Sequence, residues 1–206
     1  LKNMRTSPGE AVENAESFFE VKVAEIYTSY EKKLILSNSM DFDDLLIKTV
    51  ELLETSDQAL DYWSNKFEYI MVDEYQDTNL VQYKLIELLS SKYKNLCVVG
   101  DSDQSIYAFR GADIRNIQEF EKDFSKATII TLEKNYRSSQ KILDIANAVI
   151  SHNPRKKEKN LWTDNEDGFD VNAIRFGSER DEGRWIGEEI SKILTKLKFG
   201  GVPTKV

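Results

Sequence analysis

The chain has 206 residues, 40% of them hydrophobic and 11% aromatic, enough to bury a sizeable core as one large domain or two small ones, so disorder is a poor default. A net charge of -8 argues against binding nucleic acid through bulk positive charge. The lone cysteine, Cys97, rules out an internal disulfide, and neither a secretory leader nor an apolar run of about eighteen residues is present; a soluble, cytoplasmic protein without a membrane partner is expected.

Ser7-Pro8-Gly9-Glu10 reads as a helix start, with serine at the cap, proline in the first turn and glutamate closing a capping box. Apolar residues from Val12 to Leu34 keep helical spacing, and no glycine or proline falls between residues 10 and 38, which predicts one long helix there. Asp41-Phe-Asp-Asp44 opens a second helix, its acids favoured at the positive end of the helix dipole. Short apolar runs of strand length follow at Phe67–Val72, Asn95–Val99, Ala127–Thr131 and Asp170–Phe176. Helical stretches at Leu80–Leu89, Ile114–Phe124, Ile142–Ile150 and Arg184–Leu197 alternate with them, the pattern of a parallel α/β sheet. Asn153–Gly168 reads as a loop, with Arg155-Lys-Lys-Glu-Lys159 a solvated run, and His152 as a helix-end residue.

Charge is unevenly spread. Residues 41 to 72 carry eight acids against Lys48 and Lys66, whereas residues 132 to 160 carry seven bases against three acids, so a polyanion is expected to prefer the latter.

In open parallel sheets, ligands bind beyond the carboxyl ends of the strands, and three such segments here are polar. The first is Asp73-Glu74-Tyr75-Gln76-Asp77. Adjacent carboxylates suit a division of labour, one holding Mg²⁺ through its waters and the other orienting or deprotonating a water; the same pair is equally read as a helix cap. The second, Gly100 to Gly111, offers a tight glycine exit, Gln104 as an uncharged phosphate sensor, and Tyr107, Phe109 and Arg110 as flat groups for bases to stack on. Aromatics at that spacing are more often core. The third, Leu132 to Ser138, sets Tyr136, able to stack on a purine, beside Arg137, able to fork onto phosphate oxygens.

Together, Val72-Asp-Glu-Tyr-Gln-Asp-Thr78, Val99-Gly-Asp-Ser-Asp-Gln-Ser-Ile-Tyr-Ala-Phe-Arg-Gly-Ala112 and Asn135-Tyr-Arg-Ser138, with Met40-Asp-Phe-Asp-Asp-Leu45 and Leu161-Trp-Thr163, closely resemble the UvrD/PcrA/Rep family of superfamily 1 DNA helicases. The resemblance covers most of residues 10 to 165. It implies a partial RecA-like helicase core: residues 1–40 as the tail of a helical insertion, 41–131 as the rest of a first RecA-like domain, and 132–206 as the start of a second. It also implies an ATP- and Mg²⁺-dependent enzyme that moves 3′ to 5′ on single-stranded DNA and opens duplex junctions, in repair or replication. Residue by residue, Asp73 resembles the magnesium carboxylate, with Glu74 beside it as catalytic base, and Gln104 the γ-phosphate sensor. Arg110 resembles the arginine tying its segment to the nucleotide site, Arg137 the arginine finger, and Tyr136 the ring on adenine. Phe42, Tyr107 and Phe109 resemble contacts to DNA bases; Phe109 stands where many relatives have tryptophan, so weaker stacking is expected there.

A motor of this kind needs Gly-x-x-x-x-Gly-Lys-[Ser/Thr] to cradle phosphates, and no glycine here is followed by lysine. With an initial leucine and a Gly-Gly-Val-Pro-Thr-Lys-Val end, the chain is expected to be an internal piece of a longer helicase, inactive alone. Two other readings stand beside this one: a helicase-like module that binds DNA or a partner without moving, and a two-metal nuclease built on Asp73, Glu74, Asp77, Asp101 and Asp103. With one histidine and one cysteine, no zinc site is expected.

Overall fold

The computed structural model describes residues 1–118, 120–153 and 159–198, so most of the 155–159 basic run and the chain end from residue 199 lie outside it. Residues Leu1–Ala127 form one compact unit and Thr128–Val206 another.

The first unit begins with a 3-10 turn, Lys2–Met4, and then α1, Pro8–Glu13, and α2, Phe18–Leu36. The single helix expected over residues 10 to 38 is therefore two. Ser7 and Ser17 each cap a helix start, with Glu10 and Glu20 reaching back to the cap backbone, and the second capping box restarts the chain at residue 18. Next come α3, Phe42–Thr55, capped by Asp41, and α4, Asp57–Lys66, capped by Ser56. With α5, Leu80–Ser90, these two form a packed helical layer. Val50 and Leu53 on α3 and Val81 on α5 are buried within the unit.

β1, Ile70–Val72, and β2, Leu96–Val98, pair in parallel with α5 as the crossover, and the register sets Met71 opposite Cys97. This small sheet carries the RecA-like reading, and it is the part that positions the polar turns. Its core is smaller than composition implied: Met71 is 77% exposed, and Cys97 is exposed beside it. After two 3-10 turns, Ser102–Gln104 and Ala108–Arg110, the unit ends with α6, Arg115–Gln118, and α7, Phe120–Asp123.

The second unit contains α8, Gln140–Ile150, and α9, Glu179–Lys198. The strands expected at 127–131 and 170–176 are not formed. A strand exists by its ladder, and the pairing outside β1 and β2 among the described residues is an isolated parallel bridge, Lys134 to Trp162. Ile130 and Leu132 accordingly remain exposed. His152 follows α8, its Nδ1 3.0 Å from the Ala148 carbonyl oxygen.

Candidate functional site

Two turns meet at the carboxyl ends of β1 and β2. The Val99 amide donates to the Val72 carbonyl at 2.8 Å and the Tyr75 amide to the Val99 carbonyl at 3.0 Å, so the ladder continues past both strands into the polar segments. Asp73 and Glu74 lie at this rim, both exposed. Glu74 adopts a left-handed backbone, φ 50 and ψ 40, which costs an ordinary side chain roughly 1–2 kcal/mol. Local bonds offset that strain: the Glu74 amide donates to Asp73 Oδ1 at 2.9 Å and the Asp77 amide to the Glu74 carbonyl at 2.9 Å. Strain held at a carboxylate beside a strand end is a common mark of a functional position.

Gln76 joins the two turns. It is 1% exposed, and its Nε2 donates to Glu74 Oε2 at 2.7 Å while its Oε1 accepts from the Asp101 amide at 3.0 Å. Ser105 Oγ donates to the Gln76 carbonyl at 3.2 Å. Gly100 makes room for this amide: a Cβ there would stand 2.7 Å from Gln76 Oε1 and 2.9 Å from Ile117 Cδ1. At Gly100, expected from sequence as a tight exit from the strand, the absence of a Cβ is what this close approach requires. Gln104 closes the second turn, its Nε2 donating to Asp101 Oδ2 at 2.9 Å.

Arg110 packs within its own turn. Its guanidinium lies over the rings of Tyr107 and Phe109, 5.1 and 5.5 Å from their centroids, and those rings are tilted against each other at 5.9 Å. These contacts tie Arg110 to the expected base-stacking residues. Phe109 is 78% exposed, which suits a platform.

Phe42, 89% exposed, is the first residue of α3. Its setting is fixed by a feature the sequence reading missed. Lys2 is nearly buried and its Nζ meets Glu31 at 2.7 Å, Asp41 at 2.8 Å and Asp44 at 2.9 Å. Burial opposes the charge on Lys2, yet the three carboxylates outweigh it and raise its pKa. Burial would likewise raise Asp41, but Lys2, the Asp44 amide and the Tyr30 hydroxyl bring it down to about 2. Nothing in the sequence spacing links residue 2 to residues 31, 41 and 44.

In the second unit, Asn135 shapes the Asn-Tyr-Arg-Ser turn: its Oδ1 accepts from the Arg137 amide at 2.9 Å and the Ser138 amide at 2.7 Å. Residues 161–168 brace it. The Asn135 amide donates to the Trp162 carbonyl at 2.7 Å and Asn165 Nδ2 to the Ser138 carbonyl at 3.1 Å. Gly168, at φ +77, lies so close that a Cβ would be 2.5 Å from Ser139 Cβ. Tyr136 and Arg137 are both exposed on this turn, with Lys134 Nζ 5.3 Å from the Tyr136 ring centroid and 5.1 Å from that of Trp162. The basic excess expected here is partly neutralised, because Lys134 pairs with Asp164 and Lys141 with Asp170 at 2.6 Å, acids that lie beyond the window first counted.

Each unit thus holds its own set of candidate residues: Asp73, Glu74 and Gln104 in the first, Tyr136 and Arg137 in the second. Asp73, exposed at a strand end, suits a magnesium ion that keeps most of its waters and arrives with phosphate oxygens. Among the described residues, no three acids, histidines or cysteines converge to hold a metal by themselves, so the five-acid nuclease cluster is not assembled.

Comparison with known proteins agrees with these motifs. The model of the UvrD/REP helicase N-terminal domain matches residues 1–125, and that of the UvrD-like helicase C-terminal domain matches residues 130–201. Proteins named ATP-dependent DNA helicase PcrA, from Staphylococcus epidermidis and Staphylococcus aureus, are 50% identical over 192 residues, covering 93% of this chain and 26% of each relative. The chain therefore spans about a quarter of the length of these relatives. On the extent of both matches, it belongs to the UvrD/REP helicase family.

Proposed function

We propose that the chain is part of an ATP-dependent DNA helicase that moves 3′ to 5′ along single-stranded DNA and opens duplex junctions in the cytoplasm. The observation that carries this reading is the hydrogen-bonded junction of the two strand-end turns, which holds an exposed carboxylate pair and a glutamine on one rim. Asp73 would hold Mg²⁺ and Glu74 would orient and deprotonate the attacking water. Bound with ATP, the metal neutralises charge on the phosphate oxygens. Gln104 would sense the γ-phosphate without titrating, and Arg110 would tie its turn to that site while backing the Tyr107 and Phe109 rings. Arg137 would act as the arginine finger and Tyr136 would stack on adenine. Carried on separate units, a finger and a base make hydrolysis depend on closure, so chemistry becomes motion.

Phe42, Tyr107 and Phe109 would grip bases, and stacking serves a motor because every base has a flat face. Residues 1–40 would be the tail of the helical insertion, 41–131 the rest of the first RecA-like domain and 132–206 the start of the second. Lacking a Gly-Lys phosphate loop, the 206 residues alone are expected to hydrolyse ATP negligibly, and robust DNA-stimulated hydrolysis by them would refute that part. The test of direction uses the full-length protein on duplexes with a 3′ or a 5′ single-stranded tail. Unwinding of the 3′-tailed substrate alone is expected; unwinding of neither, or only of the 5′-tailed one, overturns the motor reading.

A further inference from the structure

We infer that Gln76 is a positioning residue that couples the water-activating carboxylate to the phosphate-sensing turn. The inference rests on the proposed roles of Glu74 and Gln104. Its physical basis is a continuous chain of bonds: Glu74 Oε2 to Gln76 Nε2 at 2.7 Å, Gln76 Oε1 to the Asp101 amide at 3.0 Å, and Asp101 Oδ2 to Gln104 Nε2 at 2.9 Å. A side-chain amide fits the middle of this chain because it donates to a carboxylate and accepts from a backbone N–H at once, and neither end titrates. Burial makes the link stiff. Gln76 is 1% exposed, and Gly100 leaves no slack, since even a methyl group there would meet the amide oxygen at 2.7 Å.

Gln104 adds the phosphate-facing end of this chain. Its amide nitrogen has two N–H donors and gives one to Asp101 Oδ2, so a phosphate oxygen drawing on the other pulls on a group that Asp101 holds. The backbone amide of Asp101 in turn holds Gln76, and Gln76 holds Glu74. Phosphate contact at one turn is thereby felt at the carboxylate on the other. Gln76 Nε2 also reaches Asp77 Oδ2, at 3.4 Å, so the same amide holds a second carboxylate of the turn.

The test uses the full-length protein, with ATPase measured at saturating single-stranded DNA over a range of ATP concentrations. Gln76→Glu keeps an acceptor for the Asp101 amide but removes the donor to Glu74. It is expected to lower kcat at least tenfold with KM for ATP within about threefold. Gly100→Ala displaces the same amide and is expected to lower kcat comparably, again with KM for ATP little changed. Glu74→Gln distinguishes the coupling from the base assignment. If it is inactive while Gln76→Glu keeps the wild-type kcat, the coupling is wrong and the base assignment stands. If Glu74→Gln retains turnover, the base assignment falls and the coupling with it. Should Gln76→Glu fail to fold, a wild-type kcat in Gly100→Ala overturns the inference.

Discussion

Replacing Lys2 by methionine removes one cation from three carboxylates while keeping most of the side-chain volume. Exposed pairs on this chain, such as Lys22 with Glu25, contribute about 0–1 kcal/mol at most. Lys2 is different, because its side chain is 9% exposed and Asp44 7%, and stripping one partner from a buried ion group costs roughly 3–5 kcal/mol. Asp41 bears on the same interaction from the other side. Its fall from 3.8 to about 2, shared among Lys2, the Asp44 amide and the Tyr30 hydroxyl, corresponds to roughly 2 kcal/mol at most, taking about 1.4 kcal/mol per tenfold change in acidity. A carboxylate held low contributes that stability above its unfolded value and loses it as pH falls from about 4 toward 2. Urea unfolding of the 206-residue chain, followed by circular dichroism, reads both effects. At pH 7, Lys2→Met is expected to be less stable by roughly 3–5 kcal/mol, since Glu31, Asp41 and Asp44 then repel one another. Asp41 loses the Lys2 bond that holds it low, so at pH 3 it is more protonated in the variant than in the wild type, and the gap between the two narrows. A gap below about 1 kcal/mol at pH 7, in the range of a surface pair, would refute the reasoning, as would a gap independent of pH.

Three further outcomes are expected. Arg137→Ala in the full-length protein lowers DNA-stimulated kcat by about 10³–10⁵-fold with little change in ATP affinity, the range an arginine finger supplies; single-turnover hydrolysis measures it. Phe42→Ala weakens single-stranded DNA binding by about 1–3 kcal/mol in a fluorescence titration, whereas Phe109→Trp, which enlarges an exposed ring, strengthens it. Gly168→Ala meets both a positive φ and the Ser139 side chain, and is expected to destabilise the second unit by more than about 1 kcal/mol in a thermal melt.

Much of the first unit was legible because its signals are local. Asp41 as cap, the crossover helix at Leu80–Ser90 and the two strand ends all announce themselves within a few residues. The break at Ser17 was equally visible as Ser-x-x-Glu, but helical spacing of apolar residues on both sides masked it. The extra strands failed for another reason: β-branched runs mark strand preference, whereas a ladder also needs a neighbour, and residues 127–131 and 170–176 have none within the described residues. At the candidate site, residue types pointed to Asp73, Glu74 and Gln104, but not to the amide that connects them. Gln76 looks from sequence like any polar residue in an acidic turn, and its burial is decided by the approach of a segment twenty-five positions later. The Lys2 cluster is invisible for the same reason, its partners lying 39 positions away at Asp41.

The proposed motor chemistry turns on Glu74 activating water at the rim of β1. The decisive measurement is the DNA-stimulated ATPase rate of full-length Glu74→Gln beside its affinity for ATP and magnesium. The expected result is a kcat lower by about 10²–10⁴-fold with nucleotide binding retained, as for loss of a general base. Turnover within a few-fold of wild type would contradict it.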